Sequence, residues 1–594
     1  MQETLLPLKL PPGLYRNGTT YQAKGRWYDG TLIRFFEGSV RPIGGWVTQV
    51  DVNNNPLGVL PGMPRCMLTW RYTDGSPLLV IGTTTKLKLL AGGSYFDITP
   101  AGFTSGRIDS VYSGSGGSYG NLAYGAGAYG VGAASSTFLE ADTWTLDNFG
   151  GFLCGICTSD GKLYVWQGNT GVAAVPPAWS PTFTGSLVTS GSTAGGATTI
   201  ALTATTLTGS ILSGQTFVIS GVTYTAQLVA TAVSNVLTVT VQPPVPSTIA
   251  NGTAVTGTGT QAPTGRAVVC TPERFLVVLG ANSDSRQVAW ASQETINAWS
   301  ATANNTAGSF ELATNGRLMC GRAGVNETLL WTDDDLHAMR YIGGQLVYSF
   351  TKVGDKCGII SPNAVAMVGS MAIWMGRNEF YMYNGMVQTI PCDVADFVFG
   401  GLNVAQRAKV WSMVMPQFSE VWWFFPSTTT GQIGFESPTE NNCYVIYNYK
   451  ENHWSFGTSL DRSCGASPDV FDNPMMCNAQ GASASVLIAH ESGNDYAGEM
   501  PYIESGPVEL GNGDNIVKLQ RLVPDELTLG AVNLTVFSKY MPTDPDVAYG
   551  PYTLTAPTNV RVSGRQMRFR FSQVNGGGWR VGTMRLGVKQ GGRR

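Results

Sequence analysis

Pairs of short apolar runs recur from about residue 61 to residue 500, and they constrain the fold more than any other feature of the sequence. Each pair joins two runs through a polar turn and closes on Trp or Tyr, as in RFLVVLGANSDSRQVAW and MAIWMGRNEFYMYNG. Such a pair predicts two antiparallel strands of one small sheet. Small sheets recurring every few tens of residues predict the blades of a β-propeller. The repeat is degenerate and leaves the blade number open, between about six and eight, with a two-sheet sandwich as the alternative arrangement.

The composition fits an all-β protein that assembles with other chains. Glycine accounts for 74 of 594 residues and aromatic residues for 10%, which suits short strands joined by tight turns. Charged residues make up only 13%, whereas about a quarter is usual. A monomer with so few charges tends to associate, so we expect an obligate oligomer.

The chain is too long for a single hydrophobic core, and changes in pattern divide it into five segments. Residues 1–60 are predicted to form an N-terminal β-meander or platform, because aromatic and β-branched residues alternate there between Asp-Gly and Glu-Gly turns. The propeller blades are assigned to 61–180 and 265–500, and an inserted small β-barrel or sandwich to 181–264. Residues 501–594 are predicted to form a C-terminal β-sandwich.

The inserted domain is marked by its lack of charged residues. No Asp, Glu, Lys or Arg occurs from Leu163 to Gly265, and Val, Ile and Thr alternate through its centre. The alternation favours folded strands over disorder. We expect this domain to pack on a neighbouring subunit or to present an exposed contact surface. Elsewhere, helical patterns are confined to residues 294–300 and 401–413.

Residues suited to catalysis are scarce. The sequence has only three histidines, His337, His453 and His490. We predict that His453 packs beside Trp454. No catalytic residue and no cofactor site is therefore predicted.

Metal-binding patterns are incomplete. The acidic run 333–335 precedes His337 but lacks the ligand spacing of a calcium loop, so we predict a solvated turn. Cys154 and Cys157 form a CxxC pair without the further ligands of a zinc site, and we predict that both lie buried on one strand. No metal site, signal peptide or membrane-spanning segment is predicted.

Three stretches resemble one family. LYRNGTTYQAKGRWYDGTLIRFFEGSVRPIGGW (14–46), KVGDKCGIISPNAVAMVGSMAIWMGRNEFYMYNGMVQTIP (352–391) and GPYTLTAPTNVRVSGRQMRFRF with the following WRVGTMRLGV (550–588) are similar to the tail nozzle proteins of short-tailed bacteriophages. These proteins are also called tail tubular protein B or packaged-DNA stabilisation proteins. The charge-free insert matches no element of that family.

The resemblance implies a structural role in the virion tail, after synthesis in the bacterial cytoplasm. It implies a homohexameric ring below the portal and the adaptor, or head-to-tail connector. The ring would retain packaged double-stranded DNA and conduct it during ejection, with tail fibres or spikes attached nearby. No stable membrane insertion is expected.

The basic C-terminal segment bears on this role. Residues 561–594 hold nine basic side chains and no acid, so a formal charge of −3 for the chain conceals −12 on residues 1–560. Two interpretations stay open: contact with DNA phosphate, and the favoured one, pairing with acidic surfaces of a neighbouring subunit or the adaptor. A continuous basic lining would hold DNA that has to slide. The candidate residues are Arg561, Arg565, Arg568, Arg570, Arg580 and Arg585. The alternation in Arg568-Phe569-Arg570-Phe571 predicts that its arginines lie on one face of a strand and its phenylalanines on the other.

A glycine-rich stretch, 114–136, lacks the lysine of a phosphate-binding loop. Tyr119, Tyr124 and Tyr129 recur in it every five residues, and we predict a flexible or tightly turned loop at a subunit contact or the bore.

Two other classes of function remain open. The first is a receptor-binding or polysaccharide-degrading propeller protein of the tail, which would form a trimer or act on glycans. The second is a cellular propeller that serves as an interaction scaffold.

Overall fold

The computed structural model describes most of the chain as strands and turns. The described residues are 3–113, 137–177, 180–211, 215–257, 262–344, 346–428, 439–458, 460–479, 484–510, 515–525, 532–574, 576 and 578–592. Almost all regular structure in them is antiparallel β-sheet. The predicted fold class, an all-β chain with a propeller body, an inserted β-domain and a C-terminal sandwich, is confirmed. The glycine-rich stretch 114–136 and its three tyrosines lie outside the described residues.

Seven small antiparallel sheets of the described residues form the blades of the propeller. Their strands are rich in β-branched and aromatic residues, which favour a pleated surface buried on both faces. The strands of blades 1 to 3 are Pro64–Arg71, Pro77–Thr83, Leu87–Ala91 and Ser94–Asp97; Trp144–Phe149, Phe152–Cys157 and Leu163–Trp166; Ala267–Cys270, Leu276–Leu279, Gln287–Trp290 and Gly308–Glu311. Those of blades 4 and 5 are Leu318–Ala323, Thr328–Thr332, Leu336–Gly343 and Val347–Gly354; Val365–Val368, Met371–Met375, Phe380–Tyr383 and Val387–Ile390. Those of blades 6 and 7 are Trp411–Met415, Glu420–Phe425, Cys443–Asn448 and His453–Thr458; Arg462–Ala466, Met475–Asn478, Leu487–His490 and Trp46–Thr48.

The ring of blades closes in two ways. Leu79 and Ile81 of blade 1 share a buried cluster with Cys477 and Leu487 of blade 7. In addition, the outermost strand of blade 7 is Trp46–Thr48, which comes from the N-terminal part of the chain and pairs antiparallel with Leu487–His490. The first and last blades are therefore joined by packing, and backbone hydrogen bonds hold the segment that leads into blade 1 within blade 7.

The N-terminal segment, predicted as a meander or platform over residues 1–60, is distributed over several sheets. Thr4–Leu8 and Trp27–Thr31 add strands to the two sheets of the C-terminal sandwich. Only Ile33–Phe36 and Ser39–Pro42 form a hairpin of their own. The physical reason is that this short segment buries its aromatic side chains against distant parts of the chain instead of against itself.

The C-terminal sandwich consists of two sheets. The first, called here the open sheet, has the strand order Thr4–Leu8, Met584–Gln590, Val517–Val523 and Thr558–Gly564. The second, called the paired sheet, has the order Trp27–Thr31, Tyr502–Ser505, Gln566–Gln573, Val532–Lys539 and Val547–Thr553. Their inner faces belong to a buried cluster that extends to Trp331, Trp374 and Trp423 of blades 4 to 6. Sandwich and propeller therefore share one continuous core.

The charge-free insert leaves blade 2 after Leu163–Trp166 and has a core of its own, which includes Ile200, Phe217 and Leu237. Its Val, Ile and Leu side chains point inward at alternate positions, as the period-two pattern predicts. One of its sheets has the strands Ser180–Thr184, Thr206–Ile211 and Ala230–Thr231. The other has Val188–Thr189, Thr199–Thr203, Val236–Gln242, Val222–Ala226, Thr216–Ile219 and Val255–Gly257.

A further antiparallel strand pair, Val111–Ser113 with Thr137–Leu139, precedes blade 2.

Helical structure in the described residues is short. The predicted helix at 294–300 is wrong: this stretch is a turn, and Glu294 has a φ of 58°, which a right-handed helix excludes. The pattern at 401–413 gives one short helix and then a strand of blade 6. The helices are Ala395–Gly401 (α) and Thr20–Ala23, Ala281–Ser283, Val404–Lys409 and Pro416–Phe418 (3₁₀).

Candidate functional site

Two of the six candidate arginines are neutralised inside the chain. Arg568 and Arg570 alternate along Gln566–Gln573 and lie on one face of the paired sheet, as predicted. Both bind the carboxylate of the buried Glu504, Arg570 through its Nε at 2.7 Å. Arg568 also pairs with Asp546, with 2.5 Å between Nη2 and Oδ2, and stacks over the ring of Phe537. The partners of these arginines therefore lie in the same chain.

The other four candidates lie in three different places. Arg565 occupies the turn between two strands, where its guanidinium contacts the sulfur of Met541. The Nε of Arg580 donates a hydrogen bond of 2.7 Å to the hydroxyl of Ser39, on the N-terminal hairpin. Arg561 and Arg585 are exposed on the outer face of the open sheet. The structure therefore does not bring the six arginines together.

The open sheet carries three further basic residues that are not among the six candidates, Lys518, Arg521 and Lys589. Lys518 and Lys589 lie directly opposite each other on neighbouring strands of the open sheet. Lys518 is exposed and Lys589 half-buried, on the same face as Arg561 and Arg585. A signal for Lys518 was present in its alternation with Val517 and Leu519, but sheet order is needed to place it beside Lys589.

A buried ionic cluster joins the N-terminal hairpin to the propeller. The guanidinium of Arg34, 1% exposed, lies 3.2 Å from Glu420 of blade 6 and 2.7 Å from Glu491, which follows blade 7. It also lies 3.5 Å above the ring of Phe418. Burial raises the pKa of Glu420 above its ordinary value, although the charge of Arg34 acts against this. Arg34 thus holds one N-terminal hairpin against two blades.

A second charged cluster surrounds Glu140, just before blade 2. Its carboxylate lies 2.5 Å from Arg317, which precedes blade 4, and 2.8 Å from Arg407, which precedes blade 6. Burial alone would raise the pKa of Glu140, but the two guanidinium groups overcome this and hold the pKa below its ordinary value. Because the three residues precede three different blades, the cluster ties these blades together at one end of their first strands.

The fully buried ammonium of Lys409 extends these contacts. Its Nζ lies 2.6 Å from Asp109 and 2.9 Å from Glu440, and Glu440 also forms two hydrogen bonds with Arg65 of blade 1, at 2.6 and 2.7 Å. Burial lowers the pKa of Lys409, while Glu440 acts in the opposite direction. The charges are again satisfied by internal partners.

A cavity of about 340 Å³ lies among the first strands of the blades. The carboxylate of Asp147 in its lining accepts a hydrogen bond from the backbone N–H of Cys270 at 2.7 Å. Arg322 donates to the backbone carbonyls of Gly321 and Pro362. These hydrogen bonds hold neighbouring strands together.

The three histidines are buried, and each contacts a polar partner. His490 accepts a hydrogen bond of 2.7 Å from the Nε of Arg462, and burial holds its pKa well below the ordinary value. His453 lies 3.2 Å from Glu451 and packs edge-to-face on Phe35. Burial also lowers the pKa of His453 and of His337. Neutral, buried imidazoles of this kind are structural.

The acidic run before His337 lies at a turn but is not fully solvated. Asp335 is completely buried and accepts hydrogen bonds from the hydroxyls of Thr314 and Thr332. Its carboxylate also lies 2.8 Å from the ammonium of Lys352. The predicted solvated turn is therefore wrong for this residue, because the short turn directs Asp335 inward. One carboxylate oxygen from each of Asp334, Asp335 and Asp355 lies within 4.8 Å of the others. Each of these carboxylates pairs with an ammonium group: Asp335 and Asp355 with Lys352, and Asp334 with Lys356.

The CxxC pair cannot act as one site. Cys154 and Cys157 lie on the strand Phe152–Cys157 and are buried, as predicted. They belong to different clusters, Cys154 between blades 2 and 3 and Cys157 between blades 1 and 2, because residues three apart on a strand point to opposite faces. Burial raises the pKa of the Cys157 thiol to about 12. No helix within the described ranges has the length and apolar character needed to cross a membrane.

Comparisons with known proteins give distant structural likenesses. No family model matches the chain, and no curated protein matches it. Among solved structures, a luciferin-regenerating enzyme is 9% identical, with a TM-score of 0.24, over 53% of this chain and 92% of the other. YCF48 bound to a D1 peptide is 10% identical, with a TM-score of 0.25, over 74% and 97%. An exo-β-1,3-galactanase from Phanerochaete chrysosporium is 10% identical, with a TM-score of 0.17, over 69% and 98%. Likenesses this low carry no argument about activity.

Proposed function

We propose that the chain is the structural tail nozzle of a short-tailed bacteriophage. In this proposal six copies form a ring below the portal and adaptor, retain packaged DNA and conduct it during ejection. The chain makes and breaks no covalent bond in this role. Tail fibres or spikes attach to the same assembly.

One observation carries the proposal: the stretch 14–46, which resembles the N-terminal region of tail nozzle proteins, joins the sandwich to the propeller. The backbone N–H of Leu14 donates to the carbonyl of Trp454 in blade 6 at 2.7 Å, and Arg34 binds blades 6 and 7. Trp27–Thr31 extends the paired sheet, and Trp46–Thr48 closes blade 7. A wall element that resists the pressure of packaged DNA has to move as one body, and this stretch supplies the connection.

The distribution of charge agrees with a conduit. Residues 1–560 carry a net charge of −12, and like charge keeps a polyanion away from a wall. The most buried charged groups, around Arg34, Glu140 and Lys409, are bound to internal partners. They therefore stabilise the body without offering a reactive site.

The test is the mass and shape of the purified protein, alone and mixed with its portal–adaptor complex, by native mass spectrometry and negative-stain imaging. A six-fold ring with a central channel, or monomers that form one on the adaptor, supports the proposal. A stable trimer or a monomer that ignores the adaptor contradicts it. In that case release of reducing sugars from host surface polysaccharide tests the alternative, a receptor-binding or polysaccharide-degrading tail protein.

A further inference from the structure

The outer face of the open sheet carries an unusual concentration of positive charge. The strand alternation that buries Leu519, Val562 and Leu586 in the shared core turns the residues between them outward. The basic residues of this face are Lys518, Arg521, Arg561, Arg585 and Lys589.

The face has little internal compensation. Arg521 pairs with Glu3, with 2.8 Å between Nε and Oε1. Both side chains lie directly over Gly587, and a Cβ at that position would collide with them. The paired sheet offers a contrast, because there Glu504 and Asp546 neutralise Arg568 and Arg570.

The composition of the face distinguishes between two kinds of partner. Protein interfaces have an apolar or aromatic centre with few charges. Here the centre is charged, since Lys518 and Lys589 oppose each other, and Asn559 and Ser563 add neutral polar groups on Thr558–Gly564. Phosphate backbones take their contacts from Lys, Arg, Ser and Asn side chains.

We propose that this face binds the phosphate backbone of double-stranded DNA, without sequence preference, through Lys518, Arg561, Arg585 and Lys589. Lys518, Arg561 and the pair Arg585 and Lys589 lie on three neighbouring strands. Neighbouring strands are about 4.8 Å apart, so the four charges share one face of the sheet. This inference rests on the proposed function only for the biological source of the DNA. The binding itself is a property of the single chain. It makes a local contact on an otherwise acidic body, which fits transient retention better than a continuous basic lining.

The experiment measures binding of a fluorescent duplex of about 30 base pairs to the full-length protein by anisotropy, between about 50 and 200 mM salt. Four phosphate contacts predict that the wild-type affinity falls roughly 100-fold over this range. Combined Lys518→Gln, Arg561→Gln, Arg585→Gln and Lys589→Gln substitutions remove most of this salt dependence. The single variant Arg561→Gln, which keeps the fold, reduces the slope of log affinity against log salt by about 1.

A matched control removes four positive charges from the propeller surface, by combined Arg71→Gln, Lys86→Gln, Arg274→Gln and Arg377→Gln substitutions. The side chains of Lys86, Arg274 and Arg377 are at least 41% exposed, and Arg71 is an exposed residue at the end of a strand. The control is expected to bind the duplex as the wild type does. Equal losses in both quadruple variants, or no loss in either, overturn the proposal.

Native mass spectrometry of the same variants separates this proposal from the proposed function. If the face variant binds DNA normally but no longer assembles, the face serves a protein partner and the proposal is wrong. If the wild-type protein forms no ring, either alone or with its portal–adaptor complex, yet its face binds DNA as predicted, the nozzle proposal fails and this inference stands.

Discussion

The two sheets of the C-terminal sandwich carry arginines from the same basic segment, but the sheets differ in whether a carboxylate of the same chain neutralises them. In the paired sheet, Arg570 lies across from Glu504 and Arg568 lies two positions along the same strand, and Glu504 binds both. In the open sheet, the residue across from Lys589 is another cation, Lys518. Both strands show the same alternation of basic and apolar residues. The cross-strand neighbour, and not the alternation, decides whether an arginine is structural or available to a partner.

The largest expected effect comes from breaking the paired sheet. Glu504→Gln leaves the shape of the side chain intact but leaves Arg568 and Arg570 without their shared anion. Removing one partner of a buried ionic group costs about 3 kcal/mol. Hydrogen exchange of the strand Gln566–Gln573, followed by mass spectrometry, should therefore accelerate by about 100-fold. Arg561→Gln in the open sheet serves as the control and should leave exchange in its own strand within a factor of about 3, since surface substitutions change stability little. Equal effects of the two substitutions would remove the distinction between the sheets.

An intermediate effect is expected where an arginine has a neutral partner. Burial lowers the pKa of Arg462 to about 10, and His490 beside it accepts its hydrogen bond as a neutral imidazole. The pKa of folded His490 lies well below 6.5, the value of the unfolded chain. The unfolded state therefore takes up the proton first, so this contribution to stability is complete above pH 6.5 and declines as the pH falls below it.

The decline should amount to about 1.4 kcal/mol per pH unit below 6.5 until His490 itself titrates. Thermal unfolding of the wild type and of His490→Gln, measured between pH 7.5 and 5.5, isolates this contribution from those of the other two histidines. The amide oxygen of Gln accepts from Arg462 and does not titrate, so the variant should lose less stability on acidification. Parallel curves for the two proteins would contradict a neutral His490.

The smallest effect sharpens the description of the open sheet. Lys518→Glu places an anion opposite Lys589 and should stabilise the sandwich by about 0.5 kcal/mol at low salt. The gain should shrink at high salt, because exposed charges are screened. Lys518→Gln removes only the repulsion and should give a smaller gain. If denaturant unfolding gives the same stability for the Glu and Gln variants at low salt, the two side chains do not face each other.

Local patterns predicted the elements of the fold well, because strand alternation and turn residues act over a few positions. MAIWMGRNEFYMYNG is two strands of blade 5, and the charge-free stretch folds with its own core around Phe217. The prediction of a helix at 294–300 was wrong, since Glu294 has a left-handed backbone conformation. The N-terminal meander was the larger miss, since Trp27–Thr31 and Trp46–Thr48 complete sheets more than 400 residues away in the chain.

The candidate site was predicted in part. The exposed face containing Arg561 and Arg585 follows from alternation, and the alternation of Arg568 with Phe569 was predicted correctly. The partner of Arg568 was not predicted, because Glu504 lies 64 residues earlier in the chain and no sequence periodicity connects the two residues. The buried cation Arg34 was likewise hidden, because its carboxylates come from blade 6 and from the residue after blade 7.

The sequence by itself determined that this chain is built from short antiparallel strands, that a charge-free domain interrupts a propeller, and that positive charge is segregated at residues 561–594. These properties depend on neighbours along the chain, where side-chain alternation and glycine conformations act. The tertiary structure alone decided which sheet each strand joins, and hence which arginines meet a carboxylate and which face solvent. That decision depends on sheet order, because electrostatic partners are set by distance in space, and strands far apart in sequence lie about 5 Å apart in a sheet.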